Sequence, residues 1–259
     1  MADKPDAALS IPGLPEIVRK IRTRTPARLL LGRAGAAYRT STQMDLREAH
    51  AAARDAVRAE LDLEKALGRT FMQSWGLFEV RTKARLKDEY LLRPDLGRHF
   101  DDDSREQIRS RCSCNNDLQL AIGDGLSVPA IAGQVPQLLP LLCDGATERH
   151  WKIGQTLAIH HCRVGILNEI GELLKPRVAV LLIGERPGLT TAESLSCYMA
   201  HRPSSSHTDA NRNVISNIHA RGLNPQEAAT RILNFAAHMM KTGTSGYLLN
   251  EERPAEGPL

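Results

Sequence analysis

The chain has 259 residues, 42% hydrophobic and 25% charged, enough for one large or two modest domains with a proper core. No uninterrupted apolar segment approaches the length of a membrane span, and the opening MADKPDAALS lacks the basic and apolar regions of a signal peptide, so the default location is the cytoplasm. The net charge of +4 is unevenly spread: residues 1–40 hold eight Lys or Arg against three Asp or Glu, and the rest is close to neutral.

A basic arm on a near-neutral body suits nucleic acid, a membrane surface or an acidic protein. Aromatics make up only 4%, which leaves few stacking platforms for bases. A protein partner therefore ranks first, with neither nucleic acid nor membrane expected. Five cysteines (Cys112, Cys114, Cys143, Cys162, Cys197) give an odd count without a CxxC pair. That argues against a disulfide framework and a structural zinc site, and predicts reduced, mostly buried thiols.

In chain order, residues 1–43 read as a basic arm, with Pro5, Pro12, Pro15 and Pro26 around the run Arg19, Lys20, Arg22, Arg24 and a short helix near Glu16 to Ile21. Gly32-Arg33-Ala34-Gly35 has the look of a phosphate loop, but no Gly-Lys-Ser/Thr closes it; a glycine turn presenting Arg33 and Arg39 to a partner is the plainer reading. Residues 44–115 read as mainly helical. Thr42 with Asp45 predicts a capped start to a long amphipathic helix carrying Leu46, Ala49, Ala53, Val57 and Leu61 on one face. Trp75, Leu77, Val80, Tyr90, Leu91 and Leu92 are candidate core positions, Pro94-Asp95 and Gly97 mark a turn, and Ser104 with Gln107 predicts a capping box.

The pattern changes at Asp117, and residues 116–259 read as an α/β domain. Leu118 to Ile122 predicts a strand, Gly123 to Ser127 a turn, and Pro129 the first turn of a helix running toward Cys143. Thr156 to His160 followed by Val164, Ile166, Leu167, Ile170, Leu173 and Leu174 repeats the unit, stopping at Pro176. The third unit is RVAVLLIGERPGLTTAESLSCY, residues 177–198, an apolar run that reads as a strand buried on both faces. The turn after it, with Gly184 and Gly188 flanking Glu185-Arg186-Pro187, is where an open α/β sheet places its ligand, and the glycines would admit a close approach to the backbone. Val214 to Ile218 is a short apolar piece. Pro225 opens the last helix, with Ala228, Ile232, Phe235, Ala236 and Met239 inward. The predicted fold is α/β: a helical N-terminal region, then a doubly wound, mainly parallel sheet of the flavodoxin or Rossmann kind.

The segments GRAG, YLLRPDLGR, GDGLS, RVAVLLIGERPGLTTAESLSCY, ISNIH and SGY, spanning Gly32 to Tyr247, resemble in that order the small (light) subunit of ethanolamine ammonia-lyase. The resemblance implies an adenosylcobalamin-dependent carbon-nitrogen lyase that converts ethanolamine to acetaldehyde and ammonia. In that family cobalt-carbon homolysis starts the reaction, the adenosyl radical takes a substrate hydrogen, and ammonia leaves during the rearrangement. The large, barrel-forming subunit handles ethanolamine, and the small one holds cobalamin against it in a hetero-oligomer. The resemblance therefore implies no catalytic residue and no metal ligand in this chain. Free cytoplasm and a protein-shelled bacterial microcompartment are both open as its address, and the short lead before Gly32 favours the first.

Three positions in the family contact cobalamin from the small subunit, and they fall on Val164, Glu185 and Val214 here. Read alone, Glu185 is a surface ion pair with a neighbouring arginine and Val164 a core-facing helix residue. With the resemblance, Glu185 becomes an acceptor for the corrin's amide side chains. The family often has cysteine where this chain has Val214, so that contact rests on backbone or packing. No Asp-x-His-x-x-Gly pattern occurs, which implies cobalamin bound with its own benzimidazole on cobalt; His160, His161 and His219 read as structural. The alternative is a stand-alone flavodoxin-like domain whose strand-end loops bind a nucleotide or phosphate.

Overall fold

A computed structural model describes residues 15–23, 29, 31 and 33–249. Pro5, Pro12, Arg24, Pro26 and Gly32 lie outside the described residues. The expected short helix is present as α1 (Glu16–Thr23). Arg33–Ala34 (β1) and Ala37–Tyr38 (β2) form a small hairpin whose turn needs Gly35 at φ +64°, and Arg33 and Arg39 are exposed as expected.

Helix α2 (Thr40–Arg58) starts two residues before the expected cap: Arg39 is the N-cap, without a side-chain bond, and Thr42 is instead a buried residue inside the helix. Its face of Leu46, Ala49, Ala53 and Val57 is only half-buried. Two short helices follow, α3 (Leu63–Leu67) and α4 (Arg69–Ser74). Then comes a strand that the sequence reading did not separate from its helical surroundings, β3 (Phe78–Arg81). Alternation of buried Phe78 and Val80 with exposed Glu79 and Arg81 is the signature of an edge strand. In α5 (Lys87–Leu92), Tyr90 is fully buried, whereas Leu92 is 82% exposed, the reverse of what was expected of it. Helix α6 (Asp102–Arg111) is capped by Asp101, which accepts from Ser104 N at 2.8 Å. Ser104 is not the cap: its buried hydroxyl accepts from Arg81 N at 2.9 Å and fastens α6 to the end of β3.

From Leu118 onward the first two expected strand-turn-helix units appear in order, as β4 (Leu118–Gly123) with α7 (Val128–Glu148) and β5 (Leu157–His160) with α8 (Ile166–Leu174). The third departs from expectation: β6 (Val178–Gly184) is followed not by a helix but by a second strand, β7 (Leu195–His201), antiparallel to it, because Leu195, Cys197 and Met199 alternate at the period of a strand. β8 (Asn213–Ile218) and α9 (Pro225–Thr242) complete the chain order. Pro129 lies in the first turn of α7 behind a Ser127 cap, and Asn224 caps α9 just before Pro225.

The six-stranded sheet runs β3-β5-β4-β6-β7-β8. The pairs from β3 to β6 are parallel, and β7 and β8 join antiparallel. All seven residues of β6 are buried. Val178, Val180 and Leu182 pack toward α7 and α9; Ala179, Leu181 and Ile183 pack toward α6 and α8. Helices on both faces make the sheet doubly wound, and each large aliphatic so buried contributes about 1.5–3 kcal/mol. Among the described residues no helix is long and apolar enough to cross a membrane.

Candidate functional site

Parallel strands β3 to β6 share one carboxyl edge, but the chain itself fills that edge over β4 and β5. Asp124, fully buried after β4, pairs with buried Lys87 at 3.2 Å and accepts from Cys162 N at 2.8 Å. Lys87 also donates to Gly125 O at 3.1 Å, and Tyr90 donates its hydroxyl to Cys162 O at 2.8 Å. Both histidines at the end of β5 are held by carboxylates: His160 by Glu79 at 2.6 Å, and His161 by Glu60 at 2.9 Å with Ala84 O on its other nitrogen at 2.8 Å. His219 accepts from Arg221 N at 3.3 Å. These are structural hydrogen bonds of the expected kind.

The same packing corrects the expected use of Gly184. A Cβ there would strike Ser127 O and come within 2.7 Å of Asp124 O, so this glycine serves the chain's own β4–α7 turn. Leu126 N donates to Gly184 O at 2.9 Å across that contact. Gly188 instead borders open space, with Thr190 N 3.9 Å from where a Cβ would stand. The N-terminus of α7, where a nucleotide phosphate would be cradled in the alternative reading, is capped by Ser127, whose hydroxyl in turn donates to Ala192 O of the loop after β6.

The open ground lies across β6, β7 and β8 on the α8 side of the sheet. Tyr198 is in register with Leu181 on one side and with Val214 on the other, and opposed residues project from the same face. Val214 is 48% exposed, Ser216 beside it is exposed, and Tyr198 is half-buried. Val164, half-buried just before α8, packs on the same apolar cluster as Tyr198. Glu185, directly after β6, accepts a hydrogen bond from Tyr198 Oη at 3.2 Å. Among the described residues Glu185 makes no ion pair, so the simple surface-pair reading fails for it. Burial, with the Glu185 charge second, pushes the Tyr198 phenol up to about 12, which keeps it a neutral donor to that carboxylate.

Glu185 and Val214 therefore both adjoin Tyr198, one through its hydroxyl and one through strand register, while Val164 packs on the apolar cluster that Tyr198 also packs against. Tyr198 is the member that residue-by-residue reading did not single out. Its signal was the alternation in Leu195–His201, where Leu195, Cys197 and Met199 join the α7/α9 core and Tyr198 faces the other way. The five cysteines are free thiols, with Cys112, Cys162 and Cys197 buried, Cys143 half-buried and Cys114 exposed. Burial pushes Cys143 up to about 11.

Comparison with known proteins agrees with the resemblance in the sequence. The family model for the ethanolamine ammonia-lyase light chain (EutC) matches residues 15–250. A protein of Listeria monocytogenes named ethanolamine ammonia-lyase small subunit is 40% identical over 227 residues, covering 88% of this chain and 75% of that one. Proteins of the same name from Clostridium perfringens and Clostridium acetobutylicum are 39% and 36% identical, each over 231 residues and 89% of this chain, covering 76% and 93% of their own lengths.

Proposed function

We propose, from the premise that this chain belongs to the ethanolamine ammonia-lyase light-chain family, that it is the small subunit which holds adenosylcobalamin against a large partner subunit. The observation that carries the reading is that Glu185 and Val214 both adjoin Tyr198 on a partly exposed face, with Val164 packed on the same apolar cluster as that tyrosine.

The chemistry of that face fits a corrin. A corrin presents a broad apolar ring system bordered by amide side chains, whose N–H groups need acceptors. Val164 and Val214 offer apolar contact; the departure from cysteine at Val214 leaves packing as its contribution. Glu185 offers the acceptor, and Tyr198 holds it in place by occupying one oxygen, leaving lone pairs for amide donors. In this reading residues 116–259 form the cobalamin-contacting part, and the benzimidazole stays on cobalt because no histidine motif here replaces it.

Adenosylcobalamin supplies the radical chemistry that converts ethanolamine to acetaldehyde and ammonia, and ethanolamine itself is handled by the large subunit. The role left to this chain is to bind and orient the cofactor and to exclude water from its side of a shared pocket. Glu185 is a binding group, not a general acid.

The test is cobalamin affinity in the assembled two-subunit complex. Glu185→Ala should weaken cyanocobalamin binding about tenfold, the worth of a charge-assisted hydrogen bond, while circular dichroism and complex formation stay unchanged. Unchanged affinity would remove Glu185 from the site.

A further inference from the structure

A cavity of about 950 Å³ opens between α6, α8 and the 202–212 loop. Its lining includes Gly165, next to Val164 in sequence, and Asp209 and Arg212, whose charges lie close enough to Tyr198 to act on its phenol, so it neighbours the candidate face. Five cations border it, Arg98, Arg105, Arg109, Lys175 and Arg212, against three carboxylates.

Those carboxylates are already engaged. Glu169, almost fully buried, pairs with Arg105 at 3.1 Å and His99 at 3.5 Å and accepts from Phe100 N at 2.7 Å. Asp209 pairs with Arg212, and Glu172 accepts from Ser205 N at 2.8 Å. Arg98, Arg109 and Lys175 make no ion pair among the described residues.

The wall itself is built and rigid. Arg212 has only 5% of its side chain exposed, it donates to Asn168 Oδ1 at 2.9 Å, and Asn168 donates in turn to His207 O at 2.8 Å. Even so, Arg212 Nε and His207 Nδ1 are buried without a partner. A buried guanidinium with an unmatched N–H costs free energy until an acceptor joins it, and the three exposed cations without an ion pair beside it favour an acceptor that is anionic. Gly165 also places the N-terminal end of α8, a nine-residue helix, on the cavity, where its dipole favours negative charge.

We infer that this cavity is a binding site for a phosphate ester, with Arg109 and Lys175 supplying mobile contacts and Arg212 the fixed charge. The volume exceeds a lone phosphate's need and admits the organic group attached to it. Two sources share this chemistry: the phosphodiester in the nucleotide loop of cobalamin, which the proposed function would bring to the adjoining face, and a free phosphate ester. Only the first source rests on the cofactor reading.

The experiment uses the full chain in complex with its large subunit, as wild type and as the double variant Arg109→Ser with Lys175→Ser. Both positions are exposed and unpaired, so the fold should be unaffected. Three probes are titrated: cyanocobalamin, cobinamide, which keeps the corrin amides but lacks the nucleotide loop, and inorganic phosphate followed by ³¹P line broadening. If the cofactor's phosphodiester occupies the cavity, the double variant binds cyanocobalamin about tenfold or more weakly and cobinamide as before. If a free ester occupies it, the broadening of inorganic phosphate by wild type disappears in the double variant while both corrinoids bind unchanged. Wild-type behaviour of the double variant toward all three probes overturns the site, as does equal weakening toward both corrinoids without phosphate binding. Failure of both corrinoids to bind the wild-type complex would count against the cofactor reading alone, and the phosphate arm would then decide the cavity.

Discussion

Glu185 and Tyr198 stand thirteen positions apart, yet the antiparallel return of β7 beside β6 lets the phenol reach the carboxylate. The residues alone could place Glu185 in a turn after a buried strand; they could not say that its nearest partner would be a tyrosine from the next strand. Lys87 shows the same limit more sharply. In the string RLKDEYLL it has the look of a solvent-facing lysine, but it is 5% exposed and its ammonium reaches Asp124 and Gly125 across thirty-seven and thirty-eight positions. A buried pair of this kind leaves an uncompensated charge when one partner is removed. Lys87→Met should therefore destabilise the chain by about 3 kcal/mol in urea unfolding. Adding Asp124→Leu should recover part of that loss, and a single variant as stable as wild type would show that Asp124 is satisfied by Cys162 N alone.

At the scale of elements, the helices with proline or asparagine at their first turns and the strands with continuous apolar runs were readable, since those signals are local. β6 is the clearest case, because burial on both faces demands an unbroken apolar run. β3 was hidden because four residues of edge strand look like one face of a short helix. Spacing alone cannot tell a cap from a hydroxyl that bonds a distant strand, and Ser104 is of the second kind. The attachment of the 202–212 loop was equally unreadable. Gly171 of α8 lies so close to it that a Cβ would stand 2.9 Å from Pro203 Cγ and nearer still to its carbonyl. Because backbone and not a flexible tip is in the way, Gly171→Ala should cost about 1–3 kcal/mol in thermal or urea unfolding. It should also raise proteolytic cleavage within 202–212 in preference to α7 or α9. A fully stable, equally resistant variant would mean that the loop is not pinned by this contact.

At the scale of the molecule, the doubly wound parallel part of the sheet followed from the alternation of strands and helices, whereas its antiparallel extension by β7 and β8 did not. The usual ligand ground of a parallel sheet, its carboxyl edge, is closed over β4 and β5 by Asp124, Lys87 and Tyr90. What remains open is the antiparallel side, where Val214 is exposed next to Tyr198. The family string GERPGL with ESLSCY joins the end of β6 to β7, two of the strands that carry the proposed face. A half-open face of this kind makes one wall, and the proposed function assigns the other to the large subunit. Co-expression of this chain with that subunit, followed by purification and an ethanolamine assay, tests the assignment most directly. The expected result is a stable complex that releases acetaldehyde from ethanolamine only when both chains and adenosylcobalamin are present. A chain that forms no complex, or a large subunit equally active without it, would contradict the proposal.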